Sequence, residues 1–288
     1  KSLENEYETD GEKQNYKFLK QYLTLHRAEL FFADKAIFIE GDTERILLPA
    51  MMKKVDQEDS DNPLLSQNIS IVETGAYSHI FEKFINFIGT KSLIITDIDS
   101  ARTKEKMKEL KDAESDEDKK KKIGQKVRVS DSDALITTND SLIHFYGSEN
   151  LKDFEEKIVN EMLLSKNPDT KKWEKNKDGN LVCVYQTNEK NSGGTEYCAR
   201  SFEDSFFHIN RQFIIDNKAS FKSLKNISDF DDDSKDSYDL SENCVNKKPP
   251  FAIEILLNSK TDKVTGKDFS NWEIPDYIEQ GLLWLKKD

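Results

Sequence analysis

The stretch Ala36-Ile37-Phe38-Ile39-Glu40-Gly41-Asp42-Thr43-Glu44 decides the fold. Four apolar residues run into an acid and a glycine, and Arg45-Ile46-Leu47-Leu48 then resumes at helical spacing. This order predicts a buried strand that ends in a carboxylate, turns at Gly41 and enters a helix capped by Asp42 or Thr43. Because open α/β sheets place their chemistry at the carboxyl ends of strands, Glu40 is a candidate site residue.

A second stretch of the same character, Leu93-Ile94-Ile95-Thr96-Asp97-Ile98-Asp99, also ends in acids. Between the two, residues 69–73 predict a short strand and residues 77–88 an amphipathic helix that ends at Gly89. Strands that alternate with helices indicate a parallel sheet. We therefore predict an α/β fold with a mostly parallel sheet flanked by helices.

Bulk composition narrows the class of protein. The chain has 288 residues, a net charge of -12, 36% hydrophobic and 34% charged residues, so it can bury a core and must carry much solvated surface. No apolar run approaches a membrane span and no signal-peptide pattern opens the chain, so we expect no membrane partner. Three widely spaced cysteines fit a reducing cytoplasm, and the four histidines show no zinc-ligand spacing.

The chain divides into five predicted segments. Because it begins with Lys1, we interpret it as a fragment whose first part connects to something upstream. The segments are a helical connector at 1–34, the first part of the α/β core at 35–100, a charged and helical insertion at 101–180, the second part of the core at 181–260, and a C-terminal helical segment at 261–288. Within the insertion, 151–164 is predicted to be a helix and 168–180 a loop.

The most charged part of the insertion, residues 101–130, includes Lys119-Lys120-Lys121-Lys122. A basic finger for a phosphate backbone is one interpretation. The acids of 114–118 just before the lysines weaken it and favour a solvated insertion.

The acids at the two strand ends predict a metal site. Asp97 and Asp99 are two residues apart, so they share one side of an extended chain, and Glu40 ends the neighbouring strand. Crowded carboxylates repel each other unless a cation neutralises them. Mg²⁺ binds in proteins through one or two carboxylates together with water and substrate phosphate.

The acid pattern resembles a TOPRIM domain, the metal-binding, Rossmann-like α/β module of topoisomerases, primases and certain nucleases. Its flanks are similar to ATP-dependent endonucleases of the OLD (overcoming lysogenization defect) family. The similar segments are Phe31-Phe32-Ala33-Asp34-Lys35, Ala199-Arg200-Ser201-Phe202-Glu203-Asp204, Lys247-Lys248-Pro249 and Trp272-Glu273-Ile274-Pro275-Asp276-Tyr277-Ile278. Ser100 departs from the pattern because relatives often have glycine there.

The resemblance implies a two-metal DNA endonuclease that uses Mg²⁺ or Mn²⁺. It would make Glu40, Asp97 and Asp99 metal ligands, with Glu44 one helical turn after Glu40. Glu203 would complete a second metal site, with Asp204 as a lesser contributor. Lys248 would stabilise charge at the scissile phosphate, and Lys247 is the alternative for that role.

The resemblance also implies partners. It predicts DNA as substrate, an ATPase domain upstream in the full-length chain through which alone ATP would act, a homo-oligomer formed through the full-length protein, and a role in phage defence or DNA repair. No Gly-x-x-x-x-Gly-Lys-Ser/Thr loop is present, so the chain itself is not the ATPase. No tyrosine stands in a recognisable topoisomerase setting, and the cysteines supply no primase zinc module. A non-catalytic TOPRIM-like interaction module remains the alternative.

Overall fold

The sheet that carries the site is built from the predicted strands and two more. The computed structural model describes residues 3–7, 10–26, 28–154 and 161–287. The strands are β1 (Lys35–Ile39), β2 (Ile69–Glu73), β3 (Lys91–Ile95), β4 (Ser100–Ala101), β5 (Ile136–Thr137), β6 (Leu163–Lys166), β7 (Trp173–Lys175), β8 (Leu181–Val184), β9 (Asn188–Lys190) and β10 (Glu196–Cys198).

The helices follow the same chain order. They are α1 (Asp10–His26), α2 (Asp42–Glu58), α3 (Glu82–Ile88), α4 (Lys104–Ala113), α5 (Glu117–Lys122), α6 (Asp140–Tyr146), α7 (Phe202–Asp216), α8 (Ser237–Cys244), α9 (Lys248–Leu257) and α10 (Asp276–Lys286). A 3₁₀ stretch, Gly75–Phe81, precedes α3, so the predicted helix at 77–88 is α-helical only in its second half. No helix in the described ranges is long and apolar enough to cross a membrane.

Six strands form one mixed sheet in the order β2-β1-β3-β8-β6-β7. The pairs β1/β2, β1/β3 and β3/β8 are parallel, while β6 pairs antiparallel with both β8 and β7. All five residues of β1 are buried, as expected for a strand covered on both faces. The predicted mostly parallel α/β sheet is confirmed.

Helices cover the sheet closely. Helix α10 packs on β3 and β8, and α2 packs on α9 and α10. Gly281 of α10 allows this approach, because a Cβ there would lie 2.9 Å from Leu93 Cδ1 and 3.3 Å from the Val184 methyl groups. The C-terminal helix predicted within 261–288 is therefore part of the core around the sheet.

The secondary structure predicted for residues 101–180 is wrong in two places. Leu163–Lys166 is strand β6, so the predicted helix at 151–164 does not extend to its end, and residues 155–160 lie outside the described part of the chain. Trp173–Lys175 is strand β7 within the predicted loop. Both join the main sheet because buried Leu163 and Leu164 pair with the start of β8, a partner that local periodicity does not reveal.

Candidate metal-binding active site

The predicted site residues meet at the carboxyl end of the sheet. Glu40 follows β1 directly, and Asp97 lies two residues after β3, whose Ile95 pairs with Ile39. Five of the six predicted residues line one open cavity of about 500 Å³. They are Glu40, Asp97, Asp99, Glu203 and Lys248. We call Glu40, Glu44, Asp97, Asp99 and Glu203 the carboxylate cluster.

Glu40 is held through one of its two oxygens. Oε1 accepts a hydrogen bond from the Thr96 hydroxyl, one from Asn139 Nδ2 at 2.7 Å, and a longer one from the Asp97 amide at 3.4 Å. Within the described residues, no donor reaches Oε2 with a hydrogen bond. Burial, together with the Asp99 charge, raises the pKa of Glu40 in spite of these donors. One carboxylate oxygen is thus fixed and the other is left for the cavity.

Asp97 shows the same arrangement. Its Oδ1 accepts from Gln186 Nε2 at 2.6 Å and from the Phe202 amide at 2.9 Å, in the first turn of α7. Gln186 is itself fixed, because its Oε1 accepts from the Ile98 amide at 2.8 Å and its Nε2 lies 3.1 Å from the Tyr277 hydroxyl. Burial first, and then the charges of the surrounding carboxylates, raises the pKa of Asp97 well above its ordinary value.

Asp99 departs from the predicted geometry. Its backbone is left-handed, with φ of 48°, so Asp97 and Asp99 do not follow one extended chain. The Asp99 carboxylate pairs with Arg200, whose Nη2 lies 2.7 Å from Oδ1 and whose Nε donates to the Ser100 carbonyl at 3.1 Å. Aspartate tolerates the left-handed region better than most residues, and Ser100 itself has no positive φ. Asp99 still lines the cavity.

Glu44 and Glu203 lie deeper. Both are buried, and Glu44 Oε2 lies 3.4 Å from where a Cβ on Gly41 would stand. Burial first, and then the charge of Glu203, raises the pKa of Glu44 to about 7. The Thr43 hydroxyl lies 3.5 Å from Glu203 Oε1, a distance at the limit for a hydrogen bond. Chain positions 160 residues apart therefore meet beside the turn at Gly41.

Lys248 supplies one of the positive charges beside the carboxylate cluster. It opens α9, and its Nζ lies 3.0 Å from Glu203 Oε2, although its side chain is 59% exposed. Burial would lower the pKa of Lys248, but the nearby charges of Glu203 and Asp97 outweigh that effect and raise it. Lys247 is exposed and does not line the cavity.

Asp204 does not point to the cluster. It is fully buried, and its Oδ2 accepts from the Arg200 amide at 2.7 Å and from the Tyr197 hydroxyl at 3.0 Å. Burial raises the pKa of Asp204 to about 6. It anchors the turn that carries Arg200, so the structure gives it a place outside the cavity and not the ligand position considered from the sequence.

Four residues that shape the site were not predicted from the sequence. Asn139 and Gln186 fix the carboxylates, Arg200 pairs with Asp99, and Lys126 lines the cavity while paired with Glu242 of α8. Arg200 lies in a segment that resembles the family, but the sequence does not show that it pairs with Asp99. Asn139 precedes a short apolar run and carries the signal of a helix cap only.

The donor set suits a hard divalent cation, since it consists of carboxylate oxygens whose charges oppose each other. In the described part of the chain, however, no three His, Cys, Asp or Glu side chains stand together at metal-binding spacing. Two of the acids are engaged in ion pairs, Glu203 with Lys248 and Asp99 with Arg200. The chemistry of the residues fits a metal ion, and its ligands would come from the oxygens that protein donors do not hold.

Comparison with known proteins identifies the domain. The family model described as the overcoming lysogenization defect protein-like TOPRIM domain matches residues 31–99. Residues 31–99 are an OLD-like TOPRIM domain. The match contains Glu40, Glu44, Asp97 and Asp99, while Glu203 and Lys248 lie beyond it. The resemblance stated from the sequence is confirmed.

Two known proteins are similar to a longer part of the chain than the matched domain. Endonuclease GajA of Bacillus cereus (strain HuB5-5) is 29% identical over 283 residues, which cover 95% of this chain and 34% of that protein. The chain thus spans about a third of the length of that curated relative. The solved C-terminal region of the Burkholderia pseudomallei OLD protein matches with a TM-score of 0.40 and 16% identity, over 88% of this chain and 97% of that one.

Proposed function

We propose that this chain is the nuclease region of a metal-dependent DNA endonuclease that hydrolyses phosphodiester bonds by a two-metal mechanism. The observation that carries the proposal is the convergence of four carboxylates and Lys248 on one cavity at the carboxyl end of the sheet. The similarity to an endonuclease over nearly the whole chain supports it. TOPRIM nucleases in general use divalent metals, which agrees with an all-oxygen donor set.

The residues divide by role. Glu40, Asp97 and Glu203 would hold Mg²⁺ or Mn²⁺, with Asp99 and Glu44 completing the negative field. When bound, two such ions activate a water molecule and stabilise the leaving oxygen of an in-line displacement. Lys248 would stabilise negative charge on the phosphate, and its ammonium group beside Glu203 supports this role.

The proposed setting follows the family. DNA is the substrate, and ATP acts through an ATPase domain upstream in a longer protein that assembles as a homo-oligomer in the cytoplasm. Phage defence or DNA repair is the proposed process. The chain matches only about a third of the length of GajA, which leaves room in that relative for such a domain.

A non-catalytic interaction module is the second candidate. It is favoured by one observation, that in the described ranges no three acidic or other ligand side chains already stand at metal-binding spacing. A module of this kind would keep the ion pairs of Lys248 and Arg200 permanently and would cut no DNA.

Glu203 tests the proposal best, since it lies outside the matched domain and comes to the cluster from α7. Supercoiled plasmid is incubated with the protein and Mn²⁺ or Mg²⁺, with an EDTA arm. We expect Glu203→Gln to slow cutting about 100-fold or more, equivalent to about 2.7 kcal/mol. The matched control is Asp216→Asn, an exposed acid at the other end of the same helix, which should cut like the wild type. Equal cutting by Glu203→Gln and wild type, or no cutting by any of them, would sink the nuclease assignment.

A further inference from the structure

One buried amide connects the insertion to the carboxylate cluster. Asn139, 2% exposed, is the N-cap of α6, and its Oδ1 accepts from the amides of Ser141 at 3.0 Å and Leu142 at 3.2 Å. Its Nδ2 faces the other way, 2.7 Å from Glu40 Oε1, 2.7 Å from Thr96 Oγ1 and 2.9 Å from the Asp97 carbonyl. The cap fixes the orientation of the amide, because only the oxygen can serve the helix and only the nitrogen can serve Glu40.

The segment that carries Asn139 is tied to the same loop. The Thr137 hydroxyl donates to the Ile98 carbonyl at 2.6 Å and accepts from the backbone N–H of Asn139 at 3.1 Å. The Thr138 amide donates to the Asp99 carbonyl at 3.1 Å. Three consecutive residues of the insertion thus hold the backbone that follows β3, the strand that delivers Asp97.

We propose that Asn139 is a positioning residue for metal binding, which turns Glu40 so that its second oxygen faces the cavity. The proposal rests on the proposed function. It assigns the insertion a part in the site, since Asn139 comes from within residues 101–180. Hydrogen-bond partners of metal-ligating carboxylates typically change metal affinity about 10- to 100-fold when they are removed.

The two donors to Glu40 Oε1 explain why loss of Asn139 should weaken the affinity for the metal ion. With Asn139 and Thr96 both on Oε1, the Glu40 carboxylate cannot rotate without breaking two part-buried hydrogen bonds. Removal of the amide frees the carboxylate to sample other orientations, and a cation must then order it again. The free energy needed to order Glu40 raises the Kd for the ion and has much less effect on the cutting rate once the ion is bound.

The test separates the cap from the amide donor. In Asn139→Ser the side chain keeps an N-cap oxygen and loses the donor that reaches Glu40. The matched control is Asn150→Ser, an exposed cap in the same insertion whose Oδ1 accepts from the Lys152 amide at 3.2 Å. Mn²⁺ binding to the metal-free full chain is measured by calorimetry. Plasmid cutting is then measured against Mn²⁺ concentration, and folding is checked by circular dichroism.

We expect the Mn²⁺ Kd of Asn139→Ser to rise about tenfold or more, and its cutting rate at saturating Mn²⁺ to stay within about threefold of wild type. Asn150→Ser should match wild type in both. A Kd for Asn139→Ser within twofold of wild type would overturn the proposal. A wild type that binds Mn²⁺ but cuts no DNA would sink the proposed function and leave the affinity comparison intact.

A second variant guards against a folding failure. Asn139→Gly removes the donor, and glycine is tolerated at an N-cap at a cost of only a few tenths of a kcal/mol. It should show the same rise in Mn²⁺ Kd. If neither Asn139 variant folds while Asn150→Ser does, Asn139 has a purely structural role and the proposal is wrong.

Discussion

Helices α4 and α5 and the carboxylate cluster are both rich in charged residues, but they differ in how far these residues are exposed to solvent. In helices α4 and α5 no residue is buried, and the ion pair of Lys121 with Asp118 joins two exposed side chains three residues apart. Such pairs contribute about 0–1 kcal/mol. In the carboxylate cluster, Glu44 and Glu203 are buried and the other three acids are half-buried. Fixed donors hold one oxygen of Glu40 and one of Asp97.

The difference shows that placement, and not composition, makes an acid chemically useful. Exposed acids are solvated, and salt screens the interactions between their charges. Buried acids that repel each other favour either protons or a cation. Matched substitutions in the two regions can therefore break or sharpen the comparison.

Asp97 carries the largest expected effect. Asp97→Asn keeps the shape of the side chain and removes its charge at the centre of the cluster. We expect plasmid cutting to fall about 100-fold or more, or about 2.7 kcal/mol in activation free energy. Asp118→Asn on α5 is the matched control and should leave the rate unchanged. Similar rates for the two variants would remove the distinction between the regions.

Lys248 comes next. Lys248→Gln removes the ammonium group that contacts Glu203, and we expect the cutting rate at saturating Mn²⁺ to fall about tenfold, about 1.4 kcal/mol. Lys247→Gln changes the neighbouring exposed lysine and should have little effect. A larger loss for Lys247→Gln than for Lys248→Gln would reverse the assignment that the sequence left open.

Glu189 extends the comparison to a half-buried acid outside the cluster. Burial first, and then the nearby Asp276, raises its pKa from 4.5 to about 7, although its Oε1 accepts from the Asp276 amide at 3.0 Å. An acid whose folded-state pKa lies above its unfolded value binds its proton more tightly when folded. Its stabilising effect is therefore present at low pH and lost as pH rises from about 4.5 through 7.

Glu189→Gln should flatten that dependence. Between pH 5 and 8 we expect the wild type to lose about 1–3 kcal/mol of unfolding free energy relative to the variant, measured by urea denaturation with EDTA present. Glu196→Gln, an exposed acid of the same β9–β10 hairpin, should follow the wild type. Parallel pH profiles for wild type and Glu189→Gln would contradict the raised pKa.

Lys126 carries the smallest effect and tests the two interpretations of residues 101–130. It lines the cavity, so Lys126→Gln should raise the KM for DNA about two- to threefold and reduce the salt slope of binding by about one. Lys121→Gln on exposed α5 should change neither quantity. A stronger effect at Lys121 would favour the basic finger for phosphates over a solvated insertion.

Strand ends and local patterns were predictable from the sequence. Glu40 and Asp97 could be placed because parallel strands bring their carboxyl ends to one edge. Glu203 and Lys248 came from family resemblance, since no local rule links residues so distant in the chain to the turn at Gly41.

Other features depend on tertiary contacts and could not be predicted from the sequence. The left-handed backbone of Asp99, which turns its carboxylate to Arg200, is not specified by neighbouring residues. Asn139 has the sequence signal of a helix cap, and only the folded chain shows that its Nδ2 donates a hydrogen bond to Glu40. Strand β6 forms because the edge of β8 offers it a partner further along the chain, in the pair Leu164 with Leu181.

The central claim is that the cluster binds divalent metal through the carboxylate oxygens that protein donors leave free. Anomalous scattering from a crystal of the chain soaked in Mn²⁺ tests it most directly. We predict a peak in the cavity within about 2.5 Å of carboxylate oxygens from Glu40 and Asp97. A soaked crystal with no peak there, in which Lys248 and Arg200 still pair with Glu203 and Asp99, would contradict the account.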